Sequence, residues 1–219
     1  MTDKDSNILS DLNANAISGT FSSRLLSDAK TEKEYVPALR TNHSALYKII
    51  LYALKPRKIL EAGTLFGYSS ILAAEVLSDV YAGDFRIDTV ELDRDNVDAA
   101  LRNIKDAGFS KNVRVIPGDA CEVFSCLEGP YDLIFLDCSK SSYNELLPDV
   151  KRLLRKGGML LADDVVYHGK LEGEDGVVPH KHRTIVNSLT EFLTNISNDS
   201  GFSACLDTMD DGLLLAVKL

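Results

Sequence analysis

Residues 59–69 read Ile59-Leu60-Glu61-Ala62-Gly63-Thr64-Leu65-Phe66-Gly67-Tyr68-Ser69. An apolar run ends in an acid, turns on two glycines and opens a helix. A βα turn of this kind brings backbone close to a ligand at the carboxyl end of a strand. The spacing from Gly63 is G-x-x-x-G, which is not the dinucleotide fingerprint G-x-G-x-x-G. Glu61 would repel a pyrophosphate. A neutral or cationic nucleoside suits the turn better, and S-adenosylmethionine, with its sulfonium and amino groups, has that chemistry.

Outward from this turn, short apolar runs alternate with helical patterns. Strands are expected at Lys58–Ala62, Ile87–Leu92, Val113–Pro117, Tyr131–Asp137 and Met159–Asp163. Amphipathic helices are expected at Ser69–Leu77, Asn96–Ala107, Ala120–Leu127 and Tyr143–Leu154. Alternation of this kind with nearly continuous apolar strands predicts a parallel sheet covered on both faces. Two further strands, Phe202–Asp207 and Leu213–Lys218, flank a turn-rich link and suit an antiparallel hairpin. The expected fold class is α/β: a Rossmann-like, mostly parallel seven-stranded sheet ending in an antiparallel hairpin. Before it, residues 1–57 read as a helical preface (Ser6–Leu12, Thr20–Leu26, His43–Leu54), either a lid or dimer contact or a layer packed on the sheet. Residues 58–219 read as the core, and the whole as one domain.

The chain has 219 residues, 45% hydrophobic, with a formal net charge of -9, so no bulk charge attracts nucleic acid. A local basic patch is still possible at Lys181-His182-Arg183 with Lys151, Arg152, Arg155 and Lys156. The four cysteines form no C-x-x-C pair and read as reduced packing residues. The polar opening Met1–Asp5 has no apolar signal core, and no stretch has the length of a membrane span. A cytoplasmic protein without membrane contact is expected.

Chemistry-bearing residues fall at the carboxyl ends of successive expected strands. Glu91 can accept both hydroxyls of a ribose, or equally cap the next helix beside Asp93. Gly118-Asp119-Ala120 can meet an adenine edge. Asp137 and the pair Asp163-Asp164 place three carboxylates on neighbouring strand ends, a hard-oxygen set that suits Mg²⁺ or a similar ion. The alternative is that they only cap helices. Lys140, one short turn after Asp137, can act as general base if its pKa is depressed.

Together these residues resemble the class I, cation-dependent catechol and caffeoyl-CoA O-methyltransferases. The resemblance rests on residues 59–69, on D-L-I-F-L-D-C-S-K-S-S-Y (132–143), on G-G-M-L-L-A-D-D-V-V-Y-H-G-K (157–170) and on D-D-G-L-L-L-A-V-K (210–218). It implies methyl transfer from S-adenosylmethionine to a hydroxyl of a small catechol-like or vicinal-diol acceptor. Gly63, Thr64 and Ser69, beside Glu61, would hold the methionine part, Glu91 the ribose, and Asp119 and Ala120 the adenine. Asp137, Asp163 and Asp164 would hold a divalent cation, expected to be Mg²⁺, with Lys140 as base. Two departures stand out: Asp164 replaces the family's usual asparagine, and Ser139 stands where many plant-type members carry a second aspartate. E-Y-V-P-A-L (34–39) and K-H-R-T-I-V-N-S-L-T-E-F-L (181–193) resemble a bacterial branch that includes tRNA 5-hydroxyuridine methyltransferases. There Leu39 would contact S-adenosylmethionine, the acceptor would be tRNA, and the 181–183 cations would form its rim. A homodimer, and closure of the preface and of residues 165–180 over the site, are implied as well. A rival class, a nucleotide-binding protein or NAD-dependent oxidoreductase without methyl transfer, is disfavoured by the missing dinucleotide fingerprint and the three strand-end acids.

Overall fold

The computed structural model describes residues 14, 18–32, 41–166 and 183–219. The expected helix at Ser6–Leu12, Leu39, the cations Lys181 and His182, and most of the 165–180 loop lie outside the described residues.

Each expected strand forms. The sheet is built from β1 (Lys58–Ala62), β2 (Arg86–Glu91), β3 (Val113–Pro117), β4 (Tyr131–Leu136), β5 (Leu154–Asp163), β6 (Phe202–Asp207) and β7 (Leu213–Lys218). Their order is β3-β2-β1-β4-β5-β7-β6, with only β7 antiparallel to its neighbours. The helices between strands are α3 (Tyr68–Tyr81), α4 (Arg94–Asp106), α5 (Ala120–Cys126) and α6 (Tyr143–Leu153), after α1 (Phe21–Glu32) and α2 (Thr41–Leu54). Helix α7 (Arg183–Asn198) precedes the hairpin, where the strand–helix alternation assigned no element. Its buried residues Val186, Leu189, Phe192 and Ile196 recur at helical spacing.

Side-chain alternation sorts the strands between two cores. Ile59, Leu133, Phe135 and Leu161 face a core shared with α1–α4, while Leu60, Ile134, Leu136 and Leu160 face one shared with α5–α7. Each fully buried Leu, Ile or Phe here is worth about 1.5–3 kcal/mol of transfer free energy. Glu61 shares the period of Ile59 and therefore points beneath α3, where the hydroxyls of Ser69 and Ser70 meet it.

The preface packs as a layer. Tyr47 of α2 stacks on Phe135 with ring centroids 5.2 Å apart, and Leu26 of α1 is buried. Glu75 of α3 accepts from Phe21 N (2.6 Å) and Ser22 Oγ (2.5 Å), which satisfies the exposed donors of the α1 start.

One boundary moves. The expected strand Met159–Asp163 starts five residues earlier, at Leu154, directly after α6. Gly157-Gly158 lies within it rather than ending a helix. A Cβ on Gly158 would sit 2.9 Å from the Asp132 and Arg155 carbonyl oxygens, so the glycine permits close strand approach rather than marking a break.

Strand order reverses between β1 and β4, and such a switch point leaves a crevice at the carboxyl ends. Among the described residues no helix is long and apolar enough to cross a membrane.

Candidate active site

The glycine turn builds one wall of that crevice. Gly63 has φ 98° and Gly67 φ 91°, both in the left-handed region. Gly63 is also fixed by space, because a Cβ there would lie 2.1 Å from the Asp137 carbonyl oxygen. Backbone bonds lace the neighbouring ends: Gly63 N donates to Val90 O (2.9 Å), Asp137 N to Ala62 O (2.8 Å) and Gly118 N to Glu91 O (2.9 Å). Gly63, Glu91, Asp119 and Asp137 thereby come from four adjacent strand ends to one rim.

Their side chains are already engaged. Glu91 folds over the turn and accepts from the amides of Thr64 (3.2 Å), Leu65 (2.7 Å) and Asp93 (2.9 Å). Glu61 is 1% exposed and accepts from the hydroxyls of Ser69, Ser70 and Thr89, and Thr64 Oγ1 lies 2.6 Å from Thr89 Oγ1. Burial raises the Glu61 pKa, opposed by these three hydroxyls. A ligand group that meets Glu61, Thr64 or Ser69 must therefore enter beneath the turn and replace a hydroxyl partner. Asp119 caps α5 through Oδ1, accepting from Cys121 N at 2.8 Å, with Ala120 as the first helical residue.

The three expected acids do converge. Asp137 follows β4, Asp163 ends β5, and Asp164 takes a left-handed φ of 56° that turns the chain back to the site. One carboxylate oxygen from each lies within 4.8 Å of the others. Lys140 Nζ reaches Asp137 Oδ1 (3.1 Å), Asp164 Oδ2 (3.6 Å) and the Tyr143 hydroxyl (3.1 Å). Burial, together with the Asp163 and Asp164 charges and against that of Lys140, pushes Asp137 up to about 7. Three carboxylates at this spacing meet one lysine, Lys140, which pairs with two of them. An all-oxygen donor set short of positive charge fits a hard divalent cation.

Lys140 differs from the expected free base. Burial alone would lower its pKa, but Tyr143, Asp137 and Asp164 outweigh that and raise it well above the ordinary value. With the carboxylates bare, it is an ammonium. Sequence reasoning also missed two neighbours. The Tyr143 hydroxyl lies 2.9 and 3.0 Å from the carbonyls of Leu136 and Asp163, tying the β4 and β5 ends together. His43 on α2 packs against Asp163. Its signal was its place one and two turns before Tyr47 and Ile50 on the buried face of a helix, where an unpartnered histidine is costly.

Among the described residues, the basic side chains at 151–155 do not gather at this rim. Lys151 pairs with Asp199 (2.5 Å), Arg152 with Asp149 (2.7 Å) and Arg155 with Asp132 (2.5 Å). These residues sit where α6 enters β5, and Asp163 is that strand's last residue. Leu154 lies opposite Tyr131 and Ala162 opposite Leu136, so at about 3.3 Å per residue the sheet separates them from the acids by roughly 20 Å.

The fold is thus the Rossmann-like methyltransferase fold, with its acid trio beside the glycine turn. The chain belongs to the O-methyltransferase family, whose sequence profile matches residues 23–219. A catechol O-methyltransferase of Niastella koreensis is 32% identical over 142 residues, 63% of this chain and 62% of that enzyme, so the match spans under two thirds of the relative's length. Caffeoyl-CoA O-methyltransferase of Stellaria longipes is 29% identical over 61% of this chain and 56% of its own. Among solved structures, a Staphylococcus aureus protein provisionally assigned as a caffeoyl-CoA O-methyltransferase superposes with a TM-score of 0.86 at 27% identity. That superposition covers 99% of this chain and 100% of the other. The SAH-bound Podospora anserina methyltransferase PaMTH1 shares the fold with a TM-score of 0.84 at 21% identity, covering 100% of this chain and 97% of its own.

Proposed function

We propose that this protein is a divalent-cation-dependent O-methyltransferase that carries the methyl group of S-adenosylmethionine to a hydroxyl of a small catechol-like or vicinal-diol acceptor. The observation that carries the reading is the acid trio within 4.8 Å, set against the glycine turn by the Gly63–Asp137 approach. A bound cation would supply Lewis acidity and a template for the acceptor, and S-adenosylmethionine the methyl group. Asp137, Asp163 and Asp164 would hold the cation. Glu91 would exchange its turn amides for ribose hydroxyls, and Asp119 and Ala120 would border the adenine. The shared backbone of Gly63 and Asp137 keeps donor and acceptor in one crevice, so positioning contributes much of the rate. With the carboxylate charge neutralised, Lys140 would release its proton to solvent and, as a neutral amine, would take the acceptor's proton. The cations at 151–155, paired with their own acids at the other end of β5, favour a small acceptor over tRNA.

Thermal shift tests both ligands at once. S-adenosylmethionine is expected to raise the melting temperature and NAD to leave it unchanged. The cation effect depends on pH with a definite sign. The raised pKa of Asp137 stabilises the bare protein below the ordinary carboxylate range, and that contribution is lost as pH rises through about 7. A cation displaces that same proton, so its affinity climbs about tenfold from pH 6 to pH 8. The Mg²⁺-induced shift is expected to be larger at pH 8. Equal shifts at both pH values, or a shift with NAD alone, would count against the reading.

A further inference from the structure

His43 is 1% exposed and has acceptors at both ring nitrogens: Asp163 Oδ1 lies 2.7 Å from Nδ1, and the Met209 carbonyl 3.3 Å from Nε2. The ring thus bridges a carboxylate and a carbonyl, with Nδ1 facing the carboxylate. Burial alone would lower the pKa, but the Asp163 carboxylate, with Asp210 and the Met209 carbonyl, leaves it above its ordinary value. The bridge joins three parts of the fold: the start of α2, the end of β5 and the turn between β6 and β7. Asn42, the next residue along, donates to Asp210 Oδ2 at 3.0 Å, and the turn in turn accepts from Val166 N at Asp211 O (2.8 Å) and from Val165 N at Gly212 O (3.1 Å). Asp163 is the most enclosed of the three acids, with 4% side-chain exposure against 21% for Asp137 and 35% for Asp164. It makes no ion pair with Lys140, which reaches Asp137 and Asp164.

We propose that His43 is the positioning residue of the cation site: it clamps one oxygen of Asp163, leaves the other for the cation, and ties that carboxylate to the Met209 turn. The inference rests on reading the acid trio as a cation site. Without the clamp, this deeply buried carboxylate would lose the Nδ1 bond that fixes its side-chain torsion. Outer partners that orient a ligating carboxylate in this way alter metal affinity about 10–100-fold.

The geometry makes the test specific to the nitrogen used. In His43→Asn the amide nitrogen falls near the Nδ1 position and can still reach Asp163. In His43→Gln it falls nearer Nε2 and can reach only Met209. Mn²⁺ and Mg²⁺ are titrated calorimetrically into wild type and both variants without acceptor, and S-adenosylmethionine binding is measured on each as a check of the fold. His43→Asn is expected to keep the cation Kd within about threefold, and His43→Gln to weaken it at least tenfold, with S-adenosylmethionine Kd unchanged in both. Equal cation affinity in wild type and a folded His43→Gln would overturn the clamp while leaving the cation site intact. Equal weakening in both variants would show a general packing role and overturn it too. Wild type that takes up neither ion would instead overturn the cation reading itself, and the clamp with it.

Discussion

Replacing Asp137 with alanine is expected to abolish cation-dependent methyl transfer while leaving the fold intact. The side chain lies in the trio and is the first partner of Lys140 at 3.1 Å, so its loss removes a ligand and the partner of the base together. Lewis-acid and template effects of a bound ion are worth several kcal/mol, and each 1.36 kcal/mol is tenfold in rate, so a loss of about a thousandfold is expected. Stability should move the other way. The tie between Asp137 and β1 is a backbone bond to Ala62 O, which alanine keeps. The carboxylate itself is held up at about 7 by burial and by its like-charged neighbours, so removing it relieves repulsion in the bare protein at pH 8. Asp137→Ala should therefore melt no lower than wild type in EDTA, yet gain little on addition of Mg²⁺. Turnover within tenfold of wild type would contradict the assignment.

Gly63→Ala is expected to damage both halves of the site at once. A methyl group at Gly63 meets the Asp137 carbonyl oxygen at 2.1 Å and its carbon at 2.7 Å, both backbone atoms that cannot rotate away. The left-handed φ of 98° adds strain of about 1–3 kcal/mol for a residue with a Cβ. Relief requires β1 and β4 to part at their carboxyl ends, which moves the glycine turn and the first cation ligand together. A lower melting temperature, by an amount equivalent to about 3–5 kcal/mol, and at least a hundredfold weaker binding of S-adenosylmethionine are expected. Gly67→Ala is the useful contrast. Its nearest contacts are at 3.6 Å, on Ala100 and Ile104, so it should suffer only the φ penalty. Equal behaviour of the two variants would mean that the close approach to Asp137 is unimportant.

The strand ends were the legible part of this chain. Apolar runs closing on Ala62, Glu91, Pro117 and Asp137 put the site residues at one edge of the sheet, because side-chain periodicity and strand length are local properties. The start of β5 was hidden, since Arg155-Lys156-Gly157-Gly158 has the composition of a turn and lies in a register shift between Leu154 and Met159, which pair with Tyr131 and Leu133. Helix α7 carried its signal in the spacing of Val186, Leu189, Phe192 and Ile196, a pattern of 3.6-residue period diluted by polar residues between them. What sequence could not supply was the pairing of distant groups. His43 and Asp163 are 120 residues apart and meet only because α2 packs over the β5 end. The same holds for the basic residues at 151–156: charge composition groups them near the site, while strand length puts them at the other end of the sheet with their own acids.

The central claim is cation-dependent methyl transfer to a small hydroxyl acceptor. Its most direct test is transfer of label from methyl-labelled S-adenosylmethionine, with Mg²⁺ and with EDTA, to a panel of catechols and to undermodified tRNA in parallel. Label on a catechol that disappears in EDTA and returns with excess Mg²⁺ is the predicted result. Transfer that persists undiminished in EDTA, or label that enters tRNA and no catechol, would contradict it.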